Sequence, residues 1–93
     1  MAKQKSGDIR IVILHRGWVM VGNFLQDGAQ CALENASVVR RWGTTKGLGE
    51  LAAGGPIDGK TVLDRAGRVD FNELTIVATV RCNPEKWSTH VSV

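Results

Sequence analysis

Ile9-Arg10-Ile11-Val12-Ile13-Leu14-His15-Arg16 decides the fold class, because its branched apolar residues recur at every second position. Ile9, Ile11 and Ile13 fall on one face of an extended segment and Arg10 and Arg16 on the other, the pattern of a β-strand with one core face. Gly17 interrupts it, and Trp18-Val19-Met20-Val21-Gly22-Asn23-Phe24-Leu25 starts a second strand with apolar residues on both faces. A strand buried on both sides in so short a chain predicts a closed barrel or a subunit interface.

Asp27-Gly28 is a hairpin signal leading into a strand from Gln30 to Glu34, and Asn35-Ala36 reads as a further turn before Ser37-Val38-Val39-Arg40-Arg41-Trp42. Leu48, Leu51 and Ala52 then repeat at i, i+3, i+4 ahead of Gly54-Gly55-Pro56, which predicts a helix of two turns over 47–53. Thr44 or Thr45 could cap it, although neither has Glu or Gln three residues on. Lys60 to Asp64 and Arg68 to Phe71 read as a hairpin turning at Gly67. Alternation from Leu74 to Cys82 marks another strand, and Asn83-Pro84 starts a helical turn that returns Trp87 to the sheet. The expected fold is a β-dominated α+β domain: a small, strongly curved antiparallel sheet or barrel with one short helix.

Ninety-three residues is the size of one domain, taken here as 1–93 with 1–7 and 88–93 as tails. A domain this small buries only roughly 60–65% of its unfolded surface, so a homo-oligomer through the second strand is expected. No run approaches the roughly 18 apolar residues of a membrane span, and the basic residues near the start precede a strand pattern instead of an export signal. A cytoplasmic protein without a membrane partner follows. Cys31 and Cys82 could form one disulfide at most; buried free thiols are the expectation.

Twelve basic and nine acidic residues give a net charge of +3, and the charge is uneven. Arg40, Arg41 and Lys46 lie within seven residues that contain no acid. With Trp42, Thr44, Thr45 and Gly47 they form the candidate ligand site. Arg40 or Arg41 and Lys46 suit phosphate, the hydroxyls and the Gly47 amide can donate hydrogen bonds, and Trp42 can pack the loop or stack a base. Adjacent strand residues point to opposite faces, so only one of the two arginines is expected to face that site. A single cluster is a small footprint for a nucleic-acid backbone, and long nucleic acid is not expected as a partner.

Other motifs carry less. Gly54-Gly55-Pro56-Ile57-Asp58-Gly59-Lys60-Thr61 matches the phosphate-loop consensus, but a helix precedes it and a strand follows, the reverse of the working order. It reads as a glycine-rich turn. His15 and His90 stand far from each other and from both cysteines in sequence, without metal-ligand spacing. No catalytic set, metal or cofactor is expected.

The run Arg40-Arg41-Trp42-Gly43-Thr44-Thr45-Lys46-Gly47-Leu48-Gly49-Glu50-Leu51-Ala52, with Arg16-Gly17-Trp18, Thr61-Val62-Leu63-Asp64, Glu73-Leu74 and Cys82, resembles a family of short, uncharacterised bacteriophage and prophage proteins. The resemblance spans about residues 9–87 and implies a setting, a phage protein in the bacterial cytoplasm. Phage proteins of this size include counter-defence factors. The resulting expectation is non-catalytic binding and sequestration of a small phosphorylated ligand such as a nucleotide immune messenger. The alternative is an inhibitor that binds a host enzyme or defence protein through the same loop or through Trp18, Met20 and Phe24.

Overall fold

Alternating apolar residues build five strands, β1 (Ile9–Leu14), β2 (Val19–Asp27), β3 (Gln30–Arg41), β4 (Val62–Asn72) and β5 (Ile76–Arg81), in a computed structural model that describes residues 8–43, 47–57 and 59–87. Two short helices, α1 (Leu48–Gly54) and α2 (Pro84–Trp87), complete it. The strands form one antiparallel sheet in the order β4-β3-β2-β1-β5. The sheet is open, with β4 and β5 as its edges.

One core lies under the helices and joins Ile9, Ile11, Val21 and Val39 to Leu51, Ala52, Cys82 and Trp87. As expected, Asn83 caps α2, its Oδ1 accepting from the Glu85 amide at 3.0 Å, and Trp87 is fully buried. The carbonyl of Ala52 accepts from both the Trp87 indole N–H, at 3.0 Å, and the Asn83 amide, at 2.9 Å. That shared acceptor fastens α2 to α1. Neither helix is long enough to hold its shape without such packing.

The second core occupies the opposite face and contains Val12, Leu14, Met20, Phe24, Cys31 and Leu33, with Phe71 and Ile76 against it. Both apolar faces of β2 are therefore buried within the chain, and both its edges are paired, to β1 and to β3. This corrects the expectation of an oligomer through the second strand. A central strand between two cores has the same hydrophobic pattern as an interface strand.

Two expected turns are bulges instead. Asn35, at φ 51°, lies inside β3, and Gly67, at φ 76°, lies inside β4. The pairs Leu33↔Val69, Ala36↔Gly67 and Ser37↔Arg65 show β3 gaining one residue and β4 gaining one immediately after, so the register is restored. Positive φ serves a bulge as well as a hairpin, and the two look alike in sequence. β2 follows β3 past this point because Gly22 has no side chain: a Cβ there would stand 3.0 Å from the Glu34 carbonyl oxygen and 3.1 Å from Ala36 Cα.

A third departure lies between the edges. The strand expected from Leu74 begins only at Ile76, because Glu73–Thr75 is a 3-10 turn, where Asn72 Oδ1 accepts from the Leu74 amide at 2.9 Å. This turn carries the chain from one sheet edge to the other. Asn72 to Ile76 spans at most about 14 Å of chain, whereas four strand spacings in a flat sheet measure about 19 Å. The sheet cannot be flat, and an extra residue in a strand bends that strand locally. The bend brings the β2–β3 hairpin to the turn, with the Glu73 amide donating to the Ala29 carbonyl at 2.8 Å, and sets Phe24 and Phe71 at 6.3 Å between centroids.

Gly22→Ala tests this account. The new methyl has to push backbone aside, so stability in urea should fall by about 1–3 kcal/mol. An unchanged midpoint would mean that β3 does not depend on that close approach.

Candidate functional site

β3 ends in a further bulge, since Val39 pairs with Leu63 but Arg41 with Val62. Arg40 keeps the face of Val38 and Asp64, and its Nη1 lies 3.1 Å from Asp64 Oδ2. Both groups are well exposed, so the pair contributes little stability. It does direct Arg40. Arg41 is exposed and makes no ion pair with any described residue, which leaves it as the arginine with charge to offer.

Beyond the arginines the backbone is pinned. Trp42 is 41% exposed, and its carbonyl accepts from Thr61 Oγ1 at 2.6 Å. The same Oγ1 accepts from the Ile57 amide at 2.8 Å, so one hydroxyl ties the end of β3 to the segment before β4. Gly43, at φ 75°, lies so close to Lys60 that a Cβ would stand 2.6 Å from the Lys60 carbonyl carbon. Only glycine passes there. At the far end of the loop Gly47, at φ 92°, precedes α1, and a Cβ on it would be 3.9 Å from Trp42 Cζ3. The indole thus rests against Gly47 with part of its surface in solvent.

Of the seven expected site residues, Arg40, Arg41, Trp42 and Gly47 are placed as above, while Thr44, Thr45 and Lys46 lie outside the described residues. The expectation of a threonine at the cap position is corrected: the residue before α1 is Gly47, which has no side chain to cap the helix. Glycine fits there because the backbone enters at positive φ, which threonine resists.

Sequence reading missed the clamp. Thr61 stood out as the last letter of a phosphate-loop match and as part of the phage-family resemblance, neither of which points to a clamp, and its partners are 19 and 4 residues away. The match itself folds between α1 and β4, with its Lys60 backbone against Gly43. The turn between β1 and β2 was also not associated with the site. Continuing the β2–β3 register beyond Met20↔Val38 sets Trp18, 53% exposed, beside Arg40. Arg16 in that turn has φ 67°, a left-handed conformation that costs a non-glycine residue roughly 1 kcal/mol or more. The same end of the sheet therefore presents Arg16, Trp18, Arg41, Trp42 and Lys60 to solvent.

The chemistry elsewhere is quiet. Met20 and Phe24 are 8% and 7% exposed, so of the alternative apolar docking face only Trp18 is accessible. Both cysteines are free and buried. Burial pushes the Cys82 thiol up from 9.0 to about 12, and burial first, then the charge of Glu73, raises Cys31. Cys82 is held beside Ile9, its amide donating to the Ile9 carbonyl at 2.9 Å, while His15 follows the other end of β1. Those six residues of strand separate them by roughly 20 Å. His90 lies outside the described residues. Among the described residues, no group of three His, Cys, Asp or Glu side chains could hold a metal, and no helix is long and apolar enough to cross a membrane.

Two measurements test these placements. Thr61→Val removes both hydroxyl bonds and should lower stability by about 1–2 kcal/mol, with faster hydrogen exchange at the Ile57 amide. Unchanged exchange would show that the hydroxyl clamps nothing. For the thiols, a raised folded-state pKa means stability is fully present below pH 9 and declines as pH rises from 9 toward 12. Native protein should resist thiol reagents at pH 8, and the alkaline loss of stability should be smaller in Cys82→Ala; rapid labelling of the folded state would contradict the burial.

No protein-family model matches the chain, and comparison with curated proteins finds no relative.

Proposed function

We propose that this chain is a non-catalytic binding protein that sequesters a small phosphorylated ligand, of the nucleotide class, at the sheet end carrying Arg41 and Trp42. The observation that carries the reading is a guanidinium without a partner among the described residues, next to a half-exposed indole whose backbone is locked by Thr61 and Gly43. A cation without a counter-charge favours an incoming anion, and an aromatic face with one side in solvent favours a planar base. The fixed backbone limits the ordering cost of binding. Arg41 would pair with phosphate and Trp42 would stack, with Thr44, Thr45 and Lys46 supplying further donors from the same loop.

The phage-family resemblance of residues 40–52 adds the setting: a counter-defence protein in the bacterial cytoplasm that lowers the free concentration of a signalling nucleotide. Inhibition of a host protein is the weaker reading, since Met20 and Phe24 of its docking face are core residues.

Calorimetric titration with a panel of mono-, di- and cyclic nucleotides tests the proposal. Wild type should bind at least one member, with affinity falling as salt is raised. Loss of one charged hydrogen-bonding group is worth about 1.5–3 kcal/mol, so Arg41→Ala should weaken binding tenfold or more. Arg40→Ala should do less, because Asp64 already engages that side chain. Absence of binding by wild type at millimolar ligand would remove the proposal, and equal losses in the two variants would remove the assignment to Arg41.

A further inference from the structure

The two edges of the sheet differ in how they are protected. β4 carries Asp64, Arg65, Arg68 and Asp70 and a bulge at Gly67, and charges and bulges are how exposed edges are kept from pairing with other strands. β5 reads Ile76-Val77-Ala78-Thr79-Val80-Arg81 and has one charge, at its end, where Arg81 Nε lies 3.4 Å from Asp8 Oδ2. Val77 is 63% exposed.

The direction of its free backbone groups follows from the pairing. The Cys82 amide donates to the Ile9 carbonyl at 2.9 Å, on the register that continues through Arg10↔Arg81, Ile11↔Val80, Val12↔Thr79 and Ile13↔Ala78. Cys82, Val80 and Ala78 thus direct their N–H and C=O groups at β1, and Thr79 and Arg81 direct theirs outward.

We propose that two copies of this chain pair antiparallel through β5, about a two-fold axis at Thr79. The strand is complementary to itself in that arrangement. Thr79 faces Thr79 of the second copy, a favourable cross-strand pair, and Ala78 faces Val80. Arg81 faces Val77, so the two arginines stand apart instead of opposing each other. The outward groups of Thr79 and Arg81 gain partners, and two five-stranded sheets become one of ten strands with a closed, isologous contact. This inference is independent of the ligand reading, which uses β3 and the loop after it.

The test uses sedimentation equilibrium of the full chain with two substitutions at exposed Val77. Val77→Lys sets a like charge opposite Arg81 and should weaken dimerisation at least tenfold. Val77→Asp sets a carboxylate there and should dimerise at least as tightly as wild type. Wild type should also protect the Thr79 and Arg81 amides from exchange in proportion to dimer content. A monomer at millimolar concentration overturns the proposal, as does equal weakening by both substitutions. Protection of those amides in a monomer would mean that the chain's own terminal residues cover the edge, and would also overturn it.

Discussion

The three-residue passage from β4 to β5 constrains everything else in this fold. It joins the two outermost strands of the sheet, so the sheet cannot lie flat, and each bend has to be supplied somewhere along β2, β3 and β4. Asn35 and Gly67 supply it in adjacent strands, each with an extra residue that cancels the other, and Gly22 lets the third strand follow. The second core is the result. Phe24, Phe71, Leu14 and Ile76 come from four strands and share one cluster because the far ends of the strands fold over toward that passage. Without the bend, one face of β1 and β2 would stay in water, a serious loss for a chain of this length.

Much of this was legible in the residues, and the departures share a cause. Alternation identified the strands, Leu48, Leu51 and Ala52 identified α1, and Asn83-Pro84 identified the turn that buries Trp87. The positive-φ residues Asn35 and Gly67 were read as chain reversals because a local signal reports a backbone angle, not the number of strands around it. Leu74 fitted a strand by period, but Asn72 competed for its amide and wound the segment into a 3-10 turn. β2 looked like an interface strand because hydrophobicity on two faces does not say whose atoms cover it.

The site was partly legible for a related reason. The concentration of cations near Trp42 is a property of composition, visible without coordinates. That Arg40 is engaged by Asp64 and Arg41 is not depends on the bulge at the end of β3, and the Thr61 clamp depends on two loops meeting. A phosphate-loop consensus supplied a familiar meaning for Thr61, yet the residue acts through its hydroxyl on a backbone 19 positions away. Spacing rules describe segments that act alone, and here two segments act together.

The clamp and the unprotected edge belong to opposite sides of the sheet, and that separation has a physical consequence. Arg41 and Trp42 follow from the β3–β4 register, whereas Thr79 and Val77 follow from the β1–β5 register, and β2 stands between them with both edges satisfied. Coupling between two sites requires an element that both can bias. A strand packed between two cores is poorly suited to that role, since shifting it would disturb both faces at once. The element that reaches both is α1, which starts at Gly47 beside Trp42 and packs in one core with Cys82 at the end of β5, so any coupling between occupancy of the Arg41 end and association through β5 has to pass through that helix.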